Sequence, residues 1–112
     1  MRAHLPDRGQ IVVLDFDPQA GAEIGKRRPA LVMSPKSYNR VTGLVLVCPI
    51  TTQPRDYPFE VRIQTAKTVG AALADRLHSF DWQARRCALI EKAPSGFWEE
   101  VRAKFLTLIE DD

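Results

Sequence analysis

Up to Pro94 the chain is written in short apolar runs, rich in β-branched residues and broken by Gly and Pro. Only beyond Pro94 do apolar residues recur at three- and four-residue spacing. That change of period predicts strands first and one helix last, because alternation suits a pleated strand and the wider spacing suits one face of a helix. GQIVVLDFD (9–17) reads as a first strand, followed by a loop from Pro18 to Lys26. PALVMSP (29–35) reads as a second, and KSYNRVTG as a turn or single helical turn ending at Gly43. LVLVCPIT (44–51) is continuously apolar, which predicts burial on both faces, with Pro49 placing an edge or the strand's end there. YPFEVRI (57–63) alternates as a half-buried strand, and VGAALADR (69–76) and RCALIEKA (86–93) are further strands separated by LHSFDWQAR. In the last segment Trp98, Val101, Phe105, Leu108 and Ile109 share a helical face, Ser95 is placed to cap, and Glu99 and Glu100 fall in the first turn. The pattern describes a mostly β chain with a C-terminal helix, built as a small, strongly curved sheet or barrel.

At 112 residues one domain spanning 1–112 is expected. No apolar run reaches the ~20 residues of a membrane span, and the opening MRAHLPDRG has no apolar signal segment, so a cytoplasmic protein without membrane contact is expected. Cys48 and Cys87 stand far apart and read as small buried hydrophobes rather than a disulfide or zinc framework. The net charge is only +2, but Glu99, Glu100, Glu110, Asp111 and Asp112 crowd the end, leaving residues 1–98 clearly basic.

Several chemistries are poorly served. GAEIGK lacks the four-residue glycine spacing and the Ser or Thr after Lys of a phosphate-binding loop. Asp15 and Asp17 share a strand face but have no third ligand at a readable spacing, so no metal or cofactor is expected. His4 sits in an N-terminus expected to fray and His78 in a loop, with nothing to bring them together as an acid–base pair. What remains is the charge of GAEIGKRRP (21–29) beside ITTQ (50–53). Phosphodiester cleavage needs a proton acceptor for the 2'-hydroxyl, a cation for the developing charge and a proton donor for the leaving oxygen; Glu23 can do the first, Arg28 the second, and Thr51 can donate or accept a hydrogen bond at the same phosphate.

DRGQIVVLDFDPQAGAEIGKRRPALVMSP, SYNRVTGLVLVCPITTQ, YPFEVRI and ALADRLHSFDWQARR together resemble the MazF/PemK toxins of bacterial toxin–antitoxin systems. The resemblance implies a small SH3-like barrel of the PemK/MazF/CcdB type, a homodimer, and a metal-independent endoribonuclease that cuts single-stranded messenger RNA within a short sequence. Its products would be a 2',3'-cyclic phosphate and a 5'-hydroxyl. By position, the family's catalytic Arg falls on Arg28, its Thr on Thr51 and its loop Glu on Glu23, with either Glu23 or Thr51 as the base. Lys26, Arg27, Gln53, Arg55, Arg76 and His78 are the expected RNA contacts. Arg76 and His78 stand where the family often has Gln and a Lys or Arg, so the cleavage sequence does not transfer. The expected partner is an acidic MazE-like antitoxin, with DNA met only through the antitoxin complex. The alternative is a barrel toxin without enzymatic activity that binds a protein such as DNA gyrase.

Overall fold

The computed structural model describes residues 2–16 and 26–110. In chain order these form β1 (Gln10–Phe16), β2 (Lys26–Val32), α1 (Lys36–Thr42), β3 (Leu44–Thr51), β4 (Glu60–Gln64), β5 (Val69–Leu73), β6 (His78–Asp81), β7 (Ala88–Lys92) and α2 (Phe97–Leu106). The strands lie in the order β4-β5-β3-β2-β1-β7, every neighbour antiparallel, with β6 beside β3.

β3 is the spine, and it is buried on both faces as its apolar run predicts. Val45 and Val47 enter one core cluster with Val12, Leu14 and Trp82, whereas Cys48 and Ile50 enter a second with Ile11, Leu31 and Val61. Each fully buried aliphatic side chain contributes about 1.5–3 kcal/mol. One edge of β3 pairs with β2 from Val47 to Pro49. The other edge is shared: Leu44–Val47 pair with β6, and Ile50 and Thr51 pair with β5. Pro49 is therefore neither on an edge strand nor at the strand's end, contrary to expectation. The Leu46 carbonyl accepts from the Met33 N–H, so by alternation the backbone of residue 49 faces the other edge, into the gap between β6 and β5 where no donor is required.

The open ends of the sheet are fastened by side chains. Thr65 and Thr68, in the β4–β5 turn, each donate a 2.6 Å hydrogen bond to Glu91 Oε2 on β7, which holds that carboxyl below its ordinary range. Phe97 and Val101 of α2 pack into the second core cluster across the same opening. Buried Asn39 ties four segments together: it donates to the Pro6 and Ser34 carbonyls, accepts from the Ser34 hydroxyl, and its own carbonyl accepts from Trp82 Nε1. The resulting half-barrel with a terminal helix is the fold class that the residue pattern predicts.

Other differences have local causes. β2 begins at Lys26, three residues early, because Phe16↔Lys26 and Asp15↔Arg27 extend the β1 ladder. α1 runs seven residues before Gly43, at φ 75°, closes it. β4 starts only at Glu60, since Tyr57–Glu60 is a hydrogen-bonded turn. His78 lies on a strand rather than in a loop, because β3 offers β6 a free edge. Ser95 makes no cap; Gly96 holds that position at φ 88°. The N-terminus is anchored, not frayed: His4 N–H donates to the Cys87 carbonyl at 2.8 Å and Pro6 is fully buried. Leu108 and Ile109 lie past the end of α2 and are exposed.

Candidate active site

The β2–β3 register places the site. The ladder ends at Ala30↔Pro49; carried on by two residues, it brings Arg28 abreast of Thr51. On its other side Thr51 pairs with Ala71 of β5, and the chain then turns out through Asp75 and Arg76. A cavity of about 820 Å³ opens there, lined by Arg28, Thr51, Gln53, Arg55 and Arg76, together with Phe16, Tyr57, Glu60 and Asp75. Five of the residues singled out from sequence thus meet in one concavity, although they come from β2, β3 and two loops.

Arg28 is exposed and has no hydrogen-bond or ion-pair partner among the described residues. Thr51 is half-buried, and its Oγ accepts from the Gln53 N–H at 3.1 Å, which leaves the hydroxyl proton free to donate outward. The loop between β3 and β4 is shaped by Glu60, whose carboxylate accepts from the backbone N–H groups of Arg55 and Tyr57. Lys104 of α2 donates to the Pro58 carbonyl at 2.8 Å and braces the same loop. Beneath Thr51 lies Gly70: a Cβ there would overlap the Thr51 carbonyl oxygen and stand 3.0 Å from its carbon, so only glycine lets the two strands approach.

The remaining expected residues are placed otherwise. Arg27 turns away from the cavity, pairing with Asp15 at 3.1 Å and donating to the Arg86 carbonyl. Arg86 also holds Asp15 at 2.7 Å, and these two hydrogen bonds, that of Arg86 first, keep the Asp15 carboxyl below its usual range against the opposing effect of its partial burial. His78 does not line the cavity; its ring stacks on Phe80 at 5.1 Å and meets the edge of Phe16 at 5.5 Å. Burial, then Arg76 and Arg85, push its pKa down. Glu23, Asp17 and the Lys26 side chain lie outside the described residues. His4 bonds to Gln10 at 2.9 Å. Cys48 and Cys87 are free and buried, and burial raises their thiols to about 12 and about 11, which makes them inert. Among the described residues no group of three or more His, Cys, Asp or Glu side chains could hold a metal ion, and no helix is long and apolar enough to cross a membrane.

Sequence reasoning missed Tyr57, Asp75 and Glu60 as parts of this cavity. Tyr57 and Glu60 belong to a run whose alternation masked the turn, and Asp75 follows an apolar strand with no spacing to distinguish it.

Comparison with known proteins decides the lineage. The family described as PemK-like, MazF-like toxins of type II toxin–antitoxin systems matches residues 7–109. The chain belongs to the PemK/MazF toxin family. The endoribonuclease toxin MazF of Escherichia coli strain K12 is 46% identical over 82 residues, covering 73% of this chain and 74% of that one. Endoribonuclease PemK of Escherichia coli is 32% identical over 108 residues, covering 92% and 81%. A MazE–MazF crystal structure from Deinococcus radiodurans superposes with a TM-score of 0.88 at 47% identity, covering 95% of this chain and 96% of that one. The half-barrel is thus the MazF fold, and the named PemK/MazF relatives are endoribonucleases.

Proposed function

We propose that this PemK/MazF chain is an endoribonuclease toxin that cuts single-stranded messenger RNA within a short sequence, blocking translation and growth. The observation that carries the proposal is the shared cavity: Arg28 and Thr51 enter it from adjacent strands, with Gln53, Arg55 and Arg76 along its walls. A substrate's 2'-hydroxyl oxygen attacks the adjacent phosphorus, and the bond to the 5'-oxygen breaks. The proton of the 2'-hydroxyl passes to Glu23, or to Thr51 as Thr51 gives its own proton to a phosphoryl oxygen, and the departing 5'-oxygen takes up a proton from solvent water. The products are a 2',3'-cyclic phosphate and a 5'-hydroxyl. Arg28, with its planar pair of donors and no competing partner among the described residues, stabilises charge developing on the phosphoryl oxygens. Thr51 donates to the same phosphate. Attack by a neighbouring hydroxyl needs no metal, so the reaction is expected to run in chelator.

Arg55 and Arg76 guide the phosphate backbone, and the exposed cations of the cavity suit an acidic MazE-like antitoxin segment that folds onto them. The active form is a homodimer in the cytoplasm, with DNA reached only through the antitoxin complex. The test is incubation of the purified chain with long single-stranded RNA in EDTA beside Arg28→Ala, mapping cuts and end groups. Discrete cuts bearing cyclic phosphate and lost in the variant are expected. A folded wild-type protein that cuts nothing would refute the reading and move attention to a protein target such as gyrase.

A further inference from the structure

Among the aromatic side chains of the cavity, Tyr57 is the one offered to a ligand. Phe16 also lines the cavity, but its ring is taken up edge-on by Phe80 at 5.0 Å and by His78. Tyr57 is 47% exposed, yet its hydroxyl, its ring and its backbone are each held. Its hydroxyl donates to Asp75 Oδ2 at 2.7 Å, its ring leans on Phe59 at 5.8 Å, its N–H is received by Glu60, and the next carbonyl is bound by Lys104. Among the described residues the other Asp75 oxygen is buried and unpartnered, so the Tyr57 hydroxyl is the hydrogen bond this carboxylate makes there. An exposed ring normally samples several rotamers; here one orientation is fixed beforehand, which removes the ordering cost from any ligand that stacks on it.

We infer that Tyr57 is a stacking platform for one nucleobase of single-stranded RNA, with Asp75 as the positioning residue that fixes its ring. The inference rests on the reading of the cavity as an RNA groove. Arg28, Arg55 and Arg76 supply phosphate contacts around the ring, and a fixed aromatic face among backbone-binding cations is how single strands are gripped with their bases turned outward. An acidic peptide would use the cations but has no need of a flat, pre-oriented ring.

The experiment measures binding of wild-type protein and Tyr57→Ala to uncleavable 2'-O-methyl oligoribonucleotides of mixed sequence, and to abasic strands of the same length. Wild type is expected to favour the strand with bases, and Tyr57→Ala to lose roughly tenfold or more of that preference while binding the abasic strand unchanged. Tyr57→Trp retains a stacking face, and its added fluorescence is expected to be quenched by the mixed strand and not by the abasic one. Tyr57→Phe keeps the ring without the tether and is expected to fall between wild type and Tyr57→Ala. An unchanged preference for bases in Tyr57→Ala, or no quenching in Tyr57→Trp at saturation, overturns the inference. Because the probes cannot be cut, base-dependent binding without RNA cleavage would sink the nuclease reading alone, and cleavage without it would sink this inference alone.

Discussion

Arg27 and Arg28 are adjacent on β2 and point to opposite faces, and their surroundings differ in every respect. Arg27 faces Asp15, its cross-strand neighbour, and is fixed further by the Arg86 carbonyl; Asp15 in turn takes a second guanidinium from Arg86. Arg28 faces a cavity lined by Arg55 and Arg76 and also by Asp56, Glu60 and Asp75, yet it forms no ion pair among the described residues. One arginine completes a structural cluster. The other has its donors unspent among the described residues, the condition on which its proposed role at a phosphate rests.

The sharpest way to break this comparison is to remove each member in turn. Arg28→Ala is expected to cut RNA ~10²–10³-fold more slowly with an unchanged melting temperature; equal cleavage would dissolve the distinction. Gly70→Ala should come next, because a methyl group forced against the Thr51 carbonyl costs about 1–3 kcal/mol of stability and displaces Thr51, so denaturant titration and cleavage should both register it. A variant that stays active and stable would show that the approach of β5 to β3 does not set the site. Asp15→Asn is smaller, about 1 kcal/mol, and should spare cleavage. Its carboxyl is held below the ordinary value of 3.8, so the wild-type contribution is complete above that value and disappears as pH falls through the lowered one. The variant's stability should therefore converge on wild type in acid, and parallel acid-melting curves would contradict that.

The smallest effect concerns His78. Its pKa lies below the ordinary 6.5, so the ring is neutral at neutral pH, and its share of stability is present above 6.5 and lost as pH falls through the lowered value. RNA affinity measured from about pH 7 to 8 should accordingly be flat. A clear weakening across that window would mean that a protonated ring contacts the backbone.

The strand assignments and the C-terminal helix were legible because alternation and helical spacing record which side of each element meets the core. Cys48 and Val47 could be read as buried on opposite faces from adjacency alone. Registers were not legible: that Arg27 meets Asp15 while Arg28 pairs with Leu14 depends on where β2 begins, and the run of three cations resembles a loop until its partner strand is known. β6 escaped notice because a four-residue strand owes its form to a vacant edge of β3 rather than to its own residues. Tyr57 and Asp75 escaped because a hydrogen bond spanning 18 residues has no local signature.

The split edge of β3 carries one more implication. β6 and the β4–β5 hairpin are attached to the spine by separate ladders, with Pro49 between them. The hairpin and the loop before it supply Arg55, Tyr57 and Glu60 to the groove, whereas β6 supplies aromatic support behind it. Changes in the length or sequence of the hairpin side can therefore reshape one wall of the cavity while the strands that carry Arg28 and Thr51 keep their places.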